Sequence, residues 1–296
     1  MNVILTGSLG HIGKPLTEEL VRKGYTVTVI SSKPEKQKDI EALGATAAIG
    51  SIEDVPFLTT TFTGADVVYC MIPPNYFHEA DQTTYFSRIG TKYAKAIQQA
   101  GVKRLIHLSS FGAHLDKGTG MILGAYQVET ILNTLSDVAI THMRPTYFYY
   151  NLYGFLDRIK TTGMIAANYG GDDTIVLVSP TDIAMAISEE IQTQATHRKI
   201  RYVASDHCTG NEIASVLGSA IGKPDLQWHI ITDQQMQEGL ETAGIPKETA
   251  ATLVEMYACL RSGALAEDYY LKQPATLGKV KLTDFAKEFA AVFNQK

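Results

Sequence analysis

The stretch that decides the fold is NVILTGSLGHIG, residues 2–13. A short apolar run of the kind found in buried parallel strands leads into three glycines, Gly7, Gly10 and Gly13, which are spaced three residues apart. From Ile12 onward, apolar residues recur every four positions, as in a helix that packs on a sheet. The sequence therefore predicts a strand, a glycine turn and a helix that together open a βαβ unit.

In this setting each glycine has a separate purpose. Gly7 permits the tight turn that leaves the strand, Gly10 lets a dinucleotide pyrophosphate approach the backbone, and Gly13 lets the helix pack closely on the strand. The helix N-terminus adds unpaired N–H groups for the anion. A plain turn with incidental glycines is the alternative, but the position between a strand and a helix favours dinucleotide binding. The loop residues predicted to contact the cofactor are Thr6, Gly7, Leu9, Gly10, His11, Ile12 and Gly13.

The same alternation of strands and helices continues along the chain. Further strands are predicted over residues 25–30, 45–49, 66–72, 104–109 and 138–144. A helix is predicted over 85–100, and Ser51 with Asp54 resembles a capping pair that opens a shorter helix. Such alternation predicts an α/β fold, a Rossmann-type doubly wound parallel sheet with helices on both faces.

After about residue 145 the alternation becomes irregular. We predict a dinucleotide-binding Rossmann domain over residues 1–150. Residues 151–296 are expected to form mainly a smaller, mostly helical substrate lobe, with the chain returning to the sheet near 175–204. A capping-box pattern at Thr209 and Glu212 and an aromatic final helix belong to this lobe.

Composition excludes several classes of function. The 296 residues carry a net charge of −5, without a run of Lys and Arg that would bind nucleic acid. Three cysteines, Cys70, Cys208 and Cys259, are too few and too scattered for a disulfide framework or a zinc site, so no metal is expected. The N-terminus lacks the features of a signal peptide, and the longest apolar run is only as long as a strand. A cytoplasmic protein that does not enter the membrane is expected.

Several longer motifs carry a resemblance to a known family. They are TGSLGHIG (6–13), LSSFGAH (108–114), QVETIL (127–132), MRPTYFYYN (143–151) and SPTDIA (179–184). With these motifs the chain resembles the NmrA-like family, an atypical branch of the short-chain dehydrogenase/reductase superfamily, and is similar to its NADPH-dependent quinone oxidoreductases. The resemblance implies an NAD(P)H-dependent oxidoreductase that acts on a quinone or a similar planar acceptor.

The end of the second strand bears on the choice of cofactor. An NAD-binding loop usually has an acidic residue there, which bonds the ribose hydroxyls. Here the strand ends in Ser31, Ser32 and Lys33, whose hydroxyls and ammonium can hold a 2′-phosphate. The sequence therefore favours NADP(H), and the alternative cofactor is NAD(H). The alternative interpretation of Lys33 is a solvated surface lysine that binds no phosphate.

Residues at the carboxyl ends of the other strands should continue the cofactor site. The residues predicted for this role are Ser51, Met71, Ile72, Pro73, Ser109, Ser110, Pro145 and Tyr147. The alternative for Ile72 is that it packs in the core, and the alternative for Ser109 and Ser110 is that they only stabilise a turn.

The superfamily resemblance implies a catalytic Tyr with a Lys four residues later. The only tyrosine in the corresponding helix is Tyr126, which is therefore the candidate catalytic residue. Thr130 stands four residues later, and no lysine occurs from 118 to 159. The missing dyad argues against ordinary carbonyl chemistry, whereas a quinone is easily reduced and its oxygens can take protons from water.

The substrate pocket is predicted from aromatic residues near the expected nicotinamide. Its predicted residues are Phe111, Tyr126, Phe148 and Asn151. Flat rings suit a planar acceptor, although core packing between the lobes would explain most of the run 147–150 equally well.

The histidines indicate no metal site. His11 lies in the glycine loop, whereas His107 and His142 lie in the fifth and sixth strands and are interpreted as structural residues. Two classes of function remain: a reductase whose partner is a small planar acceptor, and an NADP(H) redox sensor with little or no catalysis that acts through a protein partner. Sugar-nucleotide epimerisation would need the missing dyad and is disfavoured.

Overall fold

The computed structural model describes residues 1–75, 79, 81–272, 274 and 276–295. Its strands are β1 (Asn2–Leu5), β2 (Thr26–Ser31), β3 (Thr46–Ile49), β4 (Val67–Cys70), β5 (Arg104–Leu108), β6 (Ala139–Pro145), β7 (Tyr147–Phe148), β8 (Ile165–Ala167), β9 (Thr174–Val178), β10 (Arg198–Val203), β11 (Asp206–Thr209) and β12 (Trp228–Ile230). Its α-helices are α1 (Gly13–Arg22), α2 (Gln37–Ala42), α3 (Val55–Phe62), α4 (Gln82–Ala100), α5 (Leu123–Leu132), α6 (Leu156–Thr162), α7 (Pro180–Gln192), α8 (Gly210–Ala220), α9 (Asp233–Thr242), α10 (Lys247–Arg261), α11 (Glu267–Leu271) and α12 (Leu282–Phe293).

Seven strands form one parallel sheet in the order β10-β6-β5-β4-β1-β2-β3. The prediction of a Rossmann-type doubly wound sheet is therefore confirmed. The strand order reverses between β1 and β4, because the chain winds outward from β1 in one direction and from β4 in the other. This reversal is the switch point at which such sheets bind ligands.

Apolar residues cover both faces of the sheet. Val3 and Leu5 of β1 point into one cluster with α1 and α7, whereas Ile4 points into the opposite cluster with α3, α4 and α5. This alternation follows from the pleat of a strand, and burial on both faces requires the nearly continuous apolar runs that the sequence contains.

Two helices begin at different residues from those predicted. The helix predicted over 85–100 begins at Gln82, because the Asp81 carboxylate caps it by accepting a hydrogen bond from Thr84 N–H at 3.0 Å. The short helix after β3 begins beyond Asp54, which accepts from Phe57 N–H at 3.1 Å. Ser51 is not the cap of that helix, since its hydroxyl accepts from Glu53 N–H.

The part of the chain beyond β6 is mostly helical, with two small sheets of order β11-β9-β7 and β12-β8. Its core is aromatic: Tyr149 stacks on Phe285 at 5.2 Å between ring centroids, and Tyr153 stacks on Phe289 at 5.8 Å. The predicted capping box of Thr209 and Glu212 opens α8. The chain returns to the central sheet through β10, while α7 packs beside α1.

Within the described ranges, no helix combines the length and the apolar character needed to cross a membrane.

Candidate functional site

The glycine loop between β1 and α1 is tightly constrained. Gly7 has a φ of +94°, and the next residue, Ser8, has a φ of +56°, so the chain makes two left-handed steps as it leaves the strand. A Cβ atom on Gly13 would lie 2.1 Å from the Ser8 carbonyl oxygen. Gly7 and Gly13 are therefore required by the fold of the loop itself.

Gly10 differs from the other two loop glycines. Among the described residues, a Cβ atom there would meet only the Gly7 carbonyl oxygen, at an ordinary 3.5 Å, and the residue is exposed. The start of α1 beside it has neither a side-chain cap nor an acidic residue in its first turn. An open backbone next to an uncapped helix N-terminus fits a pyrophosphate, because the amide groups and the helix dipole both favour an anion.

The side chains at the end of β2 differ in their exposure. Ser31 is buried; its hydroxyl oxygen accepts a hydrogen bond from the Ser8 hydroxyl at 3.0 Å and another from Lys33 N–H at 3.2 Å. Ser32 and Lys33 are exposed, and Lys33 forms no ion pair with any described residue. Ser31 therefore holds the glycine loop in shape, whereas Ser32 and Lys33 present polar groups to whatever binds beside it.

A cavity of about 520 Å³ opens at the carboxyl ends of β1, β4, β5 and β6. Nine residues predicted from the sequence line it: Ile12, Met71, Ile72, Ser109, Ser110, Phe111, Tyr147, Phe148 and Asn151. Ile12 also belongs to the glycine loop, so the loop and the cavity form one continuous site. No carboxylate, amine, guanidinium or thiol occurs among the described residues that line the cavity.

Other predicted residues lie around the cavity rather than on its wall. The Thr6 hydroxyl accepts from Met71 N–H at 2.9 Å and so joins the ends of β1 and β4. His11 is exposed and stacks on Tyr150 at 4.5 Å between ring centroids. Pro145 offers its carbonyl to Phe111 N–H at 3.0 Å.

The remaining predicted residues are Leu9, which packs against the sheet core, and Ser51 and Pro73, which are exposed after β3 and β4.

Tyr126 lies on α5 outside the wall of the cavity. Its helical neighbours Met121, Ile122 and Ala125 line the cavity, but Tyr126 does not. It is partly exposed, and its carbonyl accepts from the Thr130 hydroxyl. The structure thus does not bring Tyr126 together with the other predicted pocket residues, and a catalytic role for it stays a prediction.

A wall of the cavity comes from the region around α10, which was not predicted to contribute. Its residues are Ile245, Leu253, Met256, Tyr257, Leu260 and Leu265. The spacing of Leu253, Met256 and Leu260 by three and four residues is an ordinary helical stripe, so the sequence carried no signal that this face lines a cavity rather than a core.

A buried ion pair lies beneath Ser109. The Ser109 hydroxyl donates to Glu129 at 2.5 Å, and Arg144 binds both oxygens of the same carboxylate, with Nε–Oε1 at 2.9 Å and Nη2–Oε2 at 2.7 Å. Arg144 also donates to Tyr202 and Asp268, each at 3.1 Å. Burial alone would lower the pKa of Arg144, but its interactions with Glu129 and Tyr202 together outweigh burial and hold that pKa above its usual value. This network fixes the strand ends that bear Ser109 and Thr146.

Two histidines face each other in the same region. His107 of β5 lines the cavity and is in register with His142 of β6, with 3.0 Å between their Nδ1 atoms. Nε2 of His142 lies 3.1 Å from Oδ1 of Asn133, an exposed residue at the end of α5. Burial lowers the pKa of each histidine to about 3, so both rings are neutral at physiological pH.

The strand order, the glycine loop and the cavity at the switch point define a Rossmann-type α/β protein. The chain belongs to the NmrA-like family, whose sequence model matches residues 1–288. Among curated proteins it is similar to an NAD(P)H azoreductase of Xenophilus azovorans, with 25% identity over 98% of this chain and 99% of that protein.

Solved structures of similar fold include an Escherichia coli NADPH-dependent quinone oxidoreductase, QOR2, complexed with NADPH. The TM-score is 0.82 at 19% identity, over 99% of this chain and 100% of that one. A triphenylmethane reductase of Citrobacter sp. gives a TM-score of 0.82 at 19% identity, over 98% and 100% of the two chains. At such identities these likenesses concern the fold.

Proposed function

We propose that this protein is an NADPH-dependent reductase of quinones or similar planar acceptors. The observation that carries the proposal is the continuity of the site. The open backbone at Gly10 beside the start of α1, which we call the glycine cradle, leads directly into a large, mainly apolar cavity. One end of the site suits a dinucleotide and the other suits an apolar ring system.

Gly10 and the amide groups at the start of α1 would hold the pyrophosphate, and Ser32 and Lys33 would hold a 2′-phosphate. The loop formed by Thr6, Gly7, Leu9, His11, Ile12 and Gly13 would position the dinucleotide, with Ser31 as the internal support of that loop. When bound, the reduced dinucleotide supplies a hydride. The names of the relatives support NADPH, since one was solved with NADPH and another is an NAD(P)H azoreductase.

The acceptor would lie between apolar and aromatic side chains. Phe111 and Phe148 offer flat surfaces on the cavity wall, to which Met256 and Leu260 of α10 also contribute. Relatives named for azo compounds, quinones and triphenylmethane dyes support an aromatic acceptor. We further propose that residues 1–150 supply the cofactor half of the site and residues 151–296 mainly the acceptor half, in a cytoplasmic protein.

The test combines binding with turnover. Calorimetry should show tighter binding of NADPH than of NADH, and the absorbance of the reduced cofactor should decline when quinones or azo dyes are added. Simple ketones should not be reduced, because the Tyr–Lys dyad is missing. Turnover of ketones in preference to quinones would contradict the proposed acceptor class. Tight NADPH binding without turnover of any acceptor would support the redox-sensor alternative instead.

A further inference from the structure

The reduction of a quinone by a hydride leaves a monoanion, which needs one proton to become the hydroquinone. Among the described residues of the cavity wall, Ser109 already donates its hydroxyl hydrogen to Glu129, and Tyr147 OH shares a hydrogen bond of 2.8 Å with Tyr169 OH. Burial also raises the pKa of Tyr147 well above its usual value. His107 is the one imidazole on the described part of this wall.

The second ring nitrogen of His107, a residue of the cavity wall, is not used by the histidine pair. Nδ1 is used by His142. Nε2 has no hydrogen-bond partner in the part of the chain that the structure describes, yet it is not one of the fully enclosed polar atoms. It is therefore accessible to a molecule in the cavity.

The two neutral rings have coupled proton positions. A neutral imidazole has one N–H and one bare nitrogen, and the contact between the two Nδ1 atoms holds a single hydrogen. When His107 carries it, Nε2 of His107 is bare and Nε2–H of His142 donates to the Asn133 oxygen. When His142 carries it, Nε2–H of His107 points into the cavity, and the Asn133 amide, rotated by half a turn, donates to His142.

Burial keeps both rings neutral, and the charged groups around the pair do not reverse this effect. Glu129 and Arg144 act on His107, and Arg144 and Arg198 act on His142. The attraction of Glu129 for a positive His107 is smaller than the effects of burial and of His142 that oppose it. The pair is thus a neutral hydrogen-bonded chain that leads from the cavity to the surface at Asn133.

We propose that His107 is the proton donor to the reduced acceptor, and that His142, beside Asn133, passes it a replacement proton from the surface. This inference rests on the proposed reductase function. The N–H bond at Nε2 of His107 breaks and an O–H bond forms on the acceptor anion, while the hydrogen on His142 Nδ1 moves to His107 Nδ1. His142 Nε2 then takes a proton from water beside Asn133.

The atoms and electrons balance in this step. One proton enters from water and one leaves to the acceptor, and the only electron transfer is the hydride of the reductase reaction. After product release, water in the open cavity returns the pair to its first state by the reverse movement. The relay therefore supplies a proton while a bound acceptor excludes water from the cavity.

The direct test is nitrogen NMR of histidine-labelled protein, which distinguishes the two neutral tautomers and the imidazolium. We expect His107 and His142 to be neutral at pH 7 with one hydrogen shared between their Nδ1 atoms. Naphthoquinone added without cofactor cannot turn over, but its carbonyl should shift His107 towards the Nε2–H form. A charged ring at pH 7, or His107 signals that naphthoquinone leaves unchanged, would overturn the proposal. This readout does not depend on turnover, so a failure of the coupled tautomers is distinguished from a failure of the proposed reductase function.

The kinetic arm uses His142→Gln, which keeps a hydrogen-bonding group but cannot pass a proton between two nitrogens. We expect kcat with quinones to drop at least about tenfold, with an unchanged Kd for NADPH and little change in KM. In mixtures of water and heavy water, kcat of the unmodified protein should depend on the deuterium fraction along a curve, because more than one proton moves. In the variant this dependence should become linear. The matched control is His229→Gln, an exposed histidine of β12 away from the cavity. In an active enzyme, unaltered kcat and isotope dependence in His142→Gln would contradict the relay.

Discussion

At the scale of single residues, the three loop glycines serve unequal purposes. Gly7 supplies a left-handed turn, and Gly13 leaves room for the Ser8 carbonyl, so both are required by the fold of the loop itself. Gly10 has space around it and no positive φ, so the folded chain alone does not explain it. A ligand that approaches the backbone at Gly10 explains why a side chain is absent there.

This difference predicts opposite effects for two substitutions. Gly10→Val should keep the melting temperature close to that of the unmodified protein but weaken NADPH binding at least about tenfold, because the side chain fills the cradle. Gly13→Ala should destabilise the fold by about 1–3 kcal/mol, since its Cβ collides with the loop backbone. Calorimetry and thermal melting of both variants check this. Unchanged NADPH affinity in Gly10→Val would show that the loop is not the binding site.

Lys33 carries the prediction about cofactor choice. Lys33→Ala should weaken NADPH binding about tenfold and leave NADH binding nearly unchanged, because a hydrogen bond to a charged group contributes about 1.5–3 kcal/mol. The control is Lys36→Ala, whose ammonium already binds the Asp39 carboxylate at 2.9 Å. Equal dissociation constants for the two cofactors in the unmodified protein would refute the preference for NADPH.

The sequence predicted individual residues well where a backbone motif fixes them. The glycine spacing located the loop, whereas the bond from Ser8 to Ser31 joins residues 23 positions apart and becomes visible only in three dimensions. The sequence alone indicates structural roles for His107 and His142, since nothing in either strand shows that the register places them side by side. The sequence predicts Tyr126 at the pocket, but the rotation of α5 directs Ala125 there instead.

At the scale of elements, the strands were predicted more accurately than the helix starts. The strands β1, β4, β5 and β6 coincide with short apolar runs that are almost wholly buried, and burial on both faces leaves little freedom in where such a run lies. Helix starts depend on one capping side chain, so the choice between Ser51 and Asp54 needs the actual backbone geometry. The contribution of α10 to the cavity depends on how the lobe packs, which an amphipathic pattern does not specify.

The pairing of β5 with β6 gives the protein a pH dependence in stability. His107 and His142 have a pKa of about 3 when folded and an ordinary value of 6.5, so between these values the unfolded chain binds more protons. Stability therefore declines as pH falls below about 6.5, with a slope of up to about 1.4 kcal/mol per pH unit for each histidine. His114 and His207 add smaller effects of the same sign, because burial also lowers the pKa of each.

The double variant His107→Gln, His142→Gln should show a clearly shallower decline in unfolding free energy between pH 7 and pH 5. Urea denaturation at several pH values measures this. The window lies above the usual pKa of carboxyl groups, so Asp and Glu contribute little to the slope there. An equally steep decline in the double variant would mean that the pair is not held neutral in the folded state.

At the scale of the whole molecule, two parts of the chain meet at one site. The glycine loop and the ends of the central strands form one part of this site, while α10 and the segment around Leu265 form another wall of the cavity. Arg144 reaches across the same boundary, since it binds Glu129 of α5 and Asp268 of α11. Fold and family follow from the sequence because the sheet motifs are local. The shape of the acceptor site does not, because it arises from contacts between distant segments.

The substitution Met256→Ala tests whether α10 contacts the acceptor while the glycine loop binds the cofactor. Removing this partly buried side chain from the cavity wall should cost about 1 kcal/mol of apolar contact, and so raise KM for a small quinone about fivefold. The Kd for NADPH should stay within about twofold, because the glycine cradle is untouched. Met236→Ala is the matched control, since Met236 is a partly buried methionine of α9 outside the cavity wall. A weaker NADPH affinity with an unaltered KM in Met256→Ala would place the cofactor, rather than the acceptor, against α10.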